Sequence, residues 1–356
     1  MKQNPVAPRT FSARVIVWQK QYGRHDLPWR QPEALEQRNP YLVWLSEIML
    51  QQTRVAAVRE YFARFTLRFP CVAALASAPI EEVLALWAGL GYYARARNLH
   101  AAAGLIMRQW QGIFPKTARE LAALPGIGRS TAAAIAAFAF NERAAILDGN
   151  VRRVLCRCFA AEKAGEPAGK ALWTLAESLL PEARDMPAYT QGLMDLGASV
   201  CLSRAPRCAE CPLRAQCRAA LLGRQEDFPA PKERAPKALK RCVFLCVSDG
   251  ERVLLRRRPF RGIWGGLLCF PEEEADFPAV FAERLKRVTP ETFSERAHVF
   301  THFVLRYTPR IYWIHPLRGV AASDGEWRWI ALEEAGKAGI PAPVARILKE
   351  MTDMAR

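Results

Sequence analysis

Three groups of residues have the types and spacing to do chemistry. The most crowded is "CLSRAPRCAECPLRAQC", which places Cys201, Cys208, Cys211 and Cys217 in one segment, separated by six, two and five residues. Four thiols this close point to a metal centre, and a shell of four sulfurs suits either zinc or an iron–sulfur cluster. Structural zinc sites usually pair two short ligand turns; only one occurs here, so the spacing leans towards iron and sulfur. Arg204, Arg207, Arg214 and Arg218 lie in or beside the segment and would give it a basic edge. The second group is a pair of carboxylates. In "VWLSEIML", the neighbours of Glu47 three and four positions away on a helix are Val43, Trp44, Leu50 and Gln51. A carboxyl sunk among such neighbours loses solvation, its pKa rises and it can exchange a proton near neutral pH, whereas on an open face it is an ordinary helical glutamate. Asp148, in "ILDGNVRRVL", is either a helix N-cap or a carboxylate of a site. The third group is "PGIGRST", residues 125 to 131, where Gly126 and Gly128 are separated only by Ile127. A nucleoside-triphosphate loop needs four residues between its glycines and a lysine before the hydroxyl, so this is not one.

Helices must position most of these groups. From about residue 11 to 222 the apolar spacing is helical, punctuated by proline and glycine, with room for roughly ten helices. One starts at Asn39 as cap and Pro40 in the first turn. Residues 224 to 240 are rich in proline and charge and read as a linker. Beyond it the period changes. "CVFLCV", the turn "SDG" and "ERVLLRRR" form a hairpin, "HVFTHFVLRYTPRIYWIH" gives further strands, and "FPAVFAERLKRV" and "PVARILKEM" read as helices. With 356 residues the chain has length for two units, all-α followed by a smaller α+β one.

Lys and Arg total 51 against 35 Asp and Glu, a net charge of +16, which suits a polyanion such as nucleic acid. No apolar run approaches a membrane span, and the first thirty residues show no secretory segment, so a cytoplasmic protein is expected and the ten cysteines are not a disulfide framework. Cys156, Cys158 and Cys242 read as core.

Taken in order, "LPWR" (27–30), "WLSEIMLQQT" (44–53), "GLGYYARARNL" (89–99), "LPGIGRSTA" (124–132), "ILDGNVRRVL" (146–155), the four-cysteine loop and "GIWGGLLCFP" (262–271) resemble the adenine DNA glycosylases of the MutY family. That family lies within the helix-hairpin-helix glycosylase superfamily, which includes endonuclease III. The resemblance covers nearly the whole chain. It implies an all-α catalytic domain over 1–223, with a six-helix barrel module about 31–142 and a cluster module about 1–30 and 143–223, then a linker at 224–240 and a Nudix-like α+β domain over 241–356. The implied cofactor is a [4Fe-4S] cluster on Cys201, Cys208, Cys211 and Cys217.

The resemblance also implies roles. Gly126 and Gly128 would let backbone N–H groups at a helix N-terminus approach a DNA phosphate, which a side chain would block. Glu47 would protonate adenine at N7, since an adenine anion is a poor leaving group, and Asp148 would steady or transiently trap the cationic sugar. Asn150 would support the sugar or the water. Gln52 and Tyr92 would enter the base stack once the target base is flipped out. Leu27, Trp29, Arg30 and Gln191 would line the adenine pocket. Ser130 stands where bifunctional relatives carry a lysine; a serine cannot form an imine, so the implied product is an abasic site without efficient strand cleavage. Phe300, Thr301 and His302 match the family's Phe-Ser-His loop, which reads 8-oxoguanine opposite the adenine, and threonine keeps the hydroxyl while adding a methyl. The second domain has no magnesium-binding run of the Arg-Glu-x-x-Glu-Glu type, so no pyrophosphatase activity is expected there. The expected partner is double-stranded DNA with adenine opposite 8-oxoguanine or guanine, bound by a monomer. The stretch "RQPEALEQRNPY" (30–41) is longer than the family's usual connection and should bulge as a surface loop. Two rival readings remain: a lyase of the same fold acting on damaged pyrimidines, against which Ser130 and the second domain speak, and a non-catalytic DNA-binding protein.

Overall fold

The computed structural model describes residues 8–30, 38–161, 169–230, 236–272, 277, 282–283, 285–314, 326–335 and 338–354. The chain divides into two compact units, Met1–Ser77 with Asn98–Glu233, and Ala78–Arg97 with Arg234–Arg356. Most of the loop expected at 30–41 lies outside the described residues.

The helices in chain order are α1 (Pro8–Tyr22), α2 (Pro40–Leu50), α3 (Val55–Arg68), α4 (Val72–Ser77), α5 (Ile80–Trp87), α6 (Ala94–Trp110), α7 (Ala118–Leu121), α8 (Arg129–Phe140), α9 (Gly149–Phe159), α10 (Gly169–Ser178), α11 (Met186–Ser199) and α12 (Arg218–Leu221). Within the first unit, α2 packs on α3 and α8, and α11 packs on α1, α8 and α9. Asn39 caps α2 as its sequence implies: its side-chain oxygen accepts the Tyr41 N–H at 3.0 Å. The helix then buries Val43, Trp44, Leu45, Ile48 and Met49, apolar almost all round, which makes it a core helix rather than a surface one. The alanine run of α8 is buried from Ala132 to Ala137, and such small side chains let neighbouring backbones come close. α8 stops at Asn141, whose φ of 57° is the left-handed turn that ends a helix.

In the second unit a seven-stranded sheet runs β3-β2-β1-β6-β4, with β5 also on β6 and β7 on β2. The strands are β1 (Ala238–Ser248), β2 (Arg252–Arg257), β3 (Leu268–Cys269), β4 (Glu291–Thr292), β5 (Arg296–Val299), β6 (Phe303–Trp313) and β7 (Trp327–Ala331). The expected hairpin is present: β1 and β2 are antiparallel, and the Asp249 carboxylate accepts the backbone N–H groups of Glu251 and Arg252 in the turn. β1 also pairs in parallel with β6 along its whole length. Its C-terminal half is buried residue after residue rather than alternately, as in a strand covered on both faces. Leu245, Val247, Leu254, Tyr312 and Trp327 make one core cluster of this unit.

The expected linker at 224–240 ends early. β1 already begins at Ala238, because the register with β6 carries Ala238 to Lys240 onto Phe303 to Leu305; residues 231–235 of that stretch lie outside the described ones. Helix Ala342–Met354 closes the chain's described part and covers the expected "PVARILKEM". Of the helix expected at 277–288, part lies outside the described residues. Among the described residues no helix is long and apolar enough to cross a membrane.

Candidate active site and hairpin

A pocket of about 450 Å³ opens in the first unit, and Glu47 lines it from α2. Trp29, Arg30 and Gln191 line it too, as do Gln19, His25 and Arg38. The pocket has room for a ligand larger than a single nucleobase. Among the described residues the Glu47 carboxyl accepts no hydrogen bond, and burial pushes it up to about 7, with the Asp148 charge adding to the rise and Arg30 opposing it. Of the two readings of Glu47 its sequence allows, the structure has the desolvated one. At neutral pH the carboxyl is poised to hold or release a proton.

Asp148 has the capping role its sequence allows. Its Oδ1 accepts the N–H groups of Asn150 and Val151, each at 2.8 Å, so it is the N-cap of α9. Among the described residues its Oδ2 has no hydrogen-bond partner. Burial raises its pKa, against the lowering by those two N–H groups and by Arg153. Asp148 does not line the pocket of Glu47, but its charge is felt there. Asn150 is held by Arg153, whose guanidinium donates to its Oδ1 at 2.9 Å and to the carbonyls of Gly197 and Cys201. Ser130, on α8, accepts the N–H of Leu147 at 2.9 Å and so fixes the residue that enters Asp148.

The expected pocket residues divide. Trp29 packs edge-on to Phe62 in the wall, and Arg30 lies 5.8 Å from the Phe138 ring. Burial pulls the Arg30 guanidinium down to about 10 despite the nearby carboxylates of Asp195 and Glu47. Gln191 donates from Nε2 to Asp195, 2.5 Å away. Leu27 is buried but does not line the pocket; its carbonyl accepts the Arg30 N–H and so fixes the turn that places Arg30. Asp195 was missed by sequence reasoning. It is 1% exposed, binds Arg24 through two oxygens and holds Gln191, and its position four residues after Gln191 on α11 was the available signal.

The hairpin joins α7 to α8. Gly126 has φ +76°, and a Cβ there would lie 2.7 Å from the Asn98 Cβ, so the chain itself demands glycine. Gly128 is different: it caps α8 without a side-chain hydrogen bond, and a Cβ there would meet nothing within 4 Å. Gln51, also missed, braces the hairpin from α2 by donating to the Gly126 carbonyl at 3.3 Å and to Thr131 Oγ1 at 3.2 Å. The next residue, Gln52, is exposed with φ 56°, and Tyr92 in the second unit is 47% exposed with φ 50°. Left-handed backbone at residues other than glycine is costly and concentrates at functional positions.

Also in the second unit, the Tyr92 hydroxyl lies 3.0 Å from Thr301 Oγ1. Thr301 and His302 are exposed in the turn between β5 and β6, and Phe300 is half-buried, stacked on Phe303 with ring centroids 4.4 Å apart. His302 is therefore a turn residue rather than a core one.

The four cysteines of the loop line one cavity together with Arg157, Leu196 and Leu213. Arg157 directs an N–H at Cys201 Sγ, 3.5 Å away, and Gln225 directs one at Cys208 Sγ, 3.7 Å away. Burial pushes the Cys211 thiol up to about 12 and raises Cys217, and the thiols raise one another. Four thiols lining one cavity, with N–H donors aimed at two of their sulfurs, have the chemistry of a thiolate donor set, whose protons a bound metal would remove. Among the described residues, no group of three or more His, Cys, Asp or Glu side chains is arranged to hold a metal ion. Cys158, expected as core, is buried but also lines this cavity.

Comparison with known proteins gives two domain matches: residues 45–178 match the HhH-GPD superfamily base excision DNA repair proteins, and 242–350 match the NUDIX domain. The chain is 35% identical to the adenine DNA glycosylase of Buchnera aphidicola subsp. Acyrthosiphon pisum over 95% of its own length and 97% of the relative's. It is 32% identical to the adenine DNA glycosylase of Homo sapiens over 95% of its length and 73% of the relative's. Among solved structures, a thermostable thymine-DNA glycosylase superposes with TM-score 0.54 at 28% identity, covering 61% of this chain and 97% of that one. Endonuclease III in a non-covalent DNA complex gives TM-score 0.50 at 22% identity over 61% of this chain and 98% of that one, a likeness of fold.

Proposed function

The chain belongs to the adenine DNA glycosylase family, and from that membership we propose that it hydrolyses the N-glycosidic bond of adenine mispaired with 8-oxoguanine or guanine in double-stranded DNA, leaving an abasic site. The observation that carries this reading is Glu47: a carboxyl with no hydrogen-bond partner among the described residues, raised to about 7, in the wall of a pocket with room for a flipped base. A group near that value is protonated often enough at neutral pH to act as general acid towards adenine N7. Asp148 supplies the second carboxylate. Its Oδ1 is occupied as the N-cap, which leaves Oδ2 for the cationic sugar, and Asn150, held by Arg153, lies beside it to support the sugar or the attacking water. Trp29, Arg30 and Gln191 hold the flipped base, and Gln52 and Tyr92, both in left-handed backbone, enter the stack it leaves.

Ser130 accepts a backbone N–H and offers no amine, so no Schiff base forms and the enzyme is monofunctional. The Gly128 end of α8 takes a DNA phosphate on its backbone N–H groups. Phe300, Thr301 and His302, in an exposed turn, meet the 8-oxoguanine of the opposite strand. Cys201, Cys208, Cys211 and Cys217 hold a [4Fe-4S] cluster, which when bound ties the loop together and steadies its basic edge; about four iron and four sulfide per chain are expected. The protein works as a monomer in the cytoplasm.

Single-turnover assays on duplexes with adenine opposite 8-oxoguanine, guanine and thymine, and on one carrying a damaged pyrimidine, test the reading. Release of free adenine mainly from the first two, with strands cut only after alkali, is expected. Release of damaged pyrimidines with direct strand scission, or binding without base release, would overturn it.

A further inference from the structure

The pocket contains a polar side chain to which no role has been given. Gln19, on α1, lines it and is only 4% exposed, yet among the described residues its Oε1 has no hydrogen-bond partner. An unmet buried acceptor costs stability, and in the wall of a pocket a bound ligand is one group that can complete it. The surroundings of Gln19 are built closely. Its backbone carbonyl accepts the Gly23 N–H at 2.8 Å and lies 3.0 Å from His25 Nε2. A Cβ on Gly23 would sit 2.9 Å from its Nε2, and one on Gly192 would sit 3.0 Å from its Cβ, so two glycines make room for the side chain.

We propose that Gln19 is a specificity-determining residue, whose Oε1 accepts one N–H of the exocyclic amino group of the flipped adenine. This rests on the adenine reading of the pocket and deepens it. The N6 amino group has two N–H donors, and a site that selects it needs two acceptors. The Nε2 of Gln191 is committed to Asp195, which leaves its Oε1 as one acceptor, and Gln19 supplies the second. The terminal torsion of a glutamine is soft, so a turn of the amide brings Oε1 from the wall to the base. The cations of the lining, Arg30 and Arg38 among them, are donors and cannot serve the amino group. The same pair of acceptors would repel a 6-oxo purine, which presents an acceptor in that place.

The test compares the full-length protein with Gln19→Met, a change of similar length that removes both amide groups, and with Gln19→Glu, which keeps an acceptor. Substrates are duplexes with adenine or unsubstituted purine, which lacks the amino group, opposite 8-oxoguanine. Thermal melting of each variant reports folding, and kcat/KM is taken for each pair. Gln19→Met should lower kcat/KM on adenine roughly three- to tenfold more than on purine, the size of one neutral hydrogen bond. Gln19→Glu should restore most of that difference. Equal losses on both substrates, in a variant that melts like the parent, would overturn the proposal while leaving the adenine reading standing. Failure of the parent protein to release adenine at all would instead sink the adenine reading.

Discussion

At the scale of the residue, the chemistry turns on Glu47 and what surrounds it. Glu47→Gln keeps the shape of the side chain and removes the proton, so base release should fall by about 10²- to 10⁴-fold, while DNA affinity, measured by titration, stays within about threefold. The pH dependence follows from the direction of the shift. Glu47 is raised to about 7, so the active protonated form is full below that value and is lost above it. The single-turnover rate should be flat on the acid side and fall about tenfold per pH unit beyond the midpoint. Because Arg30 lowers the Glu47 pKa, Arg30→Gln should move that midpoint upward; a midpoint that stays put or falls would remove Arg30 from the pocket's electrostatics. The apolar neighbours of Glu47 at helical spacing were legible in the sequence. Its depth was not, because the pocket is closed by residues 19–30 and 187–191, which no local spacing connects to it. Asp148 shows the same limit. Its capping role is local and readable, whereas its reach to Glu47 depends on packing between distant helices, α9 on α11, α11 on α8 and α8 on α2.

At the scale of the element, the hairpin separates two reasons for glycine that look identical in "PGIGRST". Gly126 is required by the chain, through its positive φ and the Asn98 side chain, so Gly126→Ala should destabilise by about 1–3 kcal/mol and lower the Tm by several degrees. Gly128 has ordinary backbone and open space around it, so Gly128→Ala should cost no more than an N-cap preference, about 0.5–1 kcal/mol, yet weaken DNA binding at least as much as Gly126→Ala does. Calorimetry and DNA titration on the two variants check the contrast. If Gly128→Ala binds DNA like the parent, the N-terminus of α8 is not the phosphate contact. The brace from Gln51 was invisible to pattern reading. It links residues 51 and 126, and only the packing of α2 on α8 makes them neighbours.

At the scale of the whole molecule, the division between helical and mixed parts was legible because the helical spacing gives way after residue 240 to short apolar runs bounded by turn residues. Where the compact units divide was not. Ala78–Arg97 reads as one more stretch of helical chain, yet it packs with the C-terminal residues: Arg97 donates to the Gly265 carbonyl at 2.7 Å, Tyr93 to that of Ile340 at 3.4 Å, and Glu81 pairs with Arg257 at 3.1 Å. The net charge of +16 acts at this scale too, and it separates binding from chemistry. Each phosphate neutralised releases condensed counterions, so log Kd should rise with log salt at a slope near 0.9 per contact, and a grip on about six phosphates would cost roughly a thousandfold in affinity between 50 and 200 mM salt. Glu47 and Asp148 are half-buried and both are raised by desolvation, in surroundings that salt screens less than open surface. The single-turnover rate at saturating enzyme should therefore change by less than about twofold over the same range. A rate that falls in step with affinity would mean that exposed charges, rather than the two desolvated carboxylates, set the chemical step.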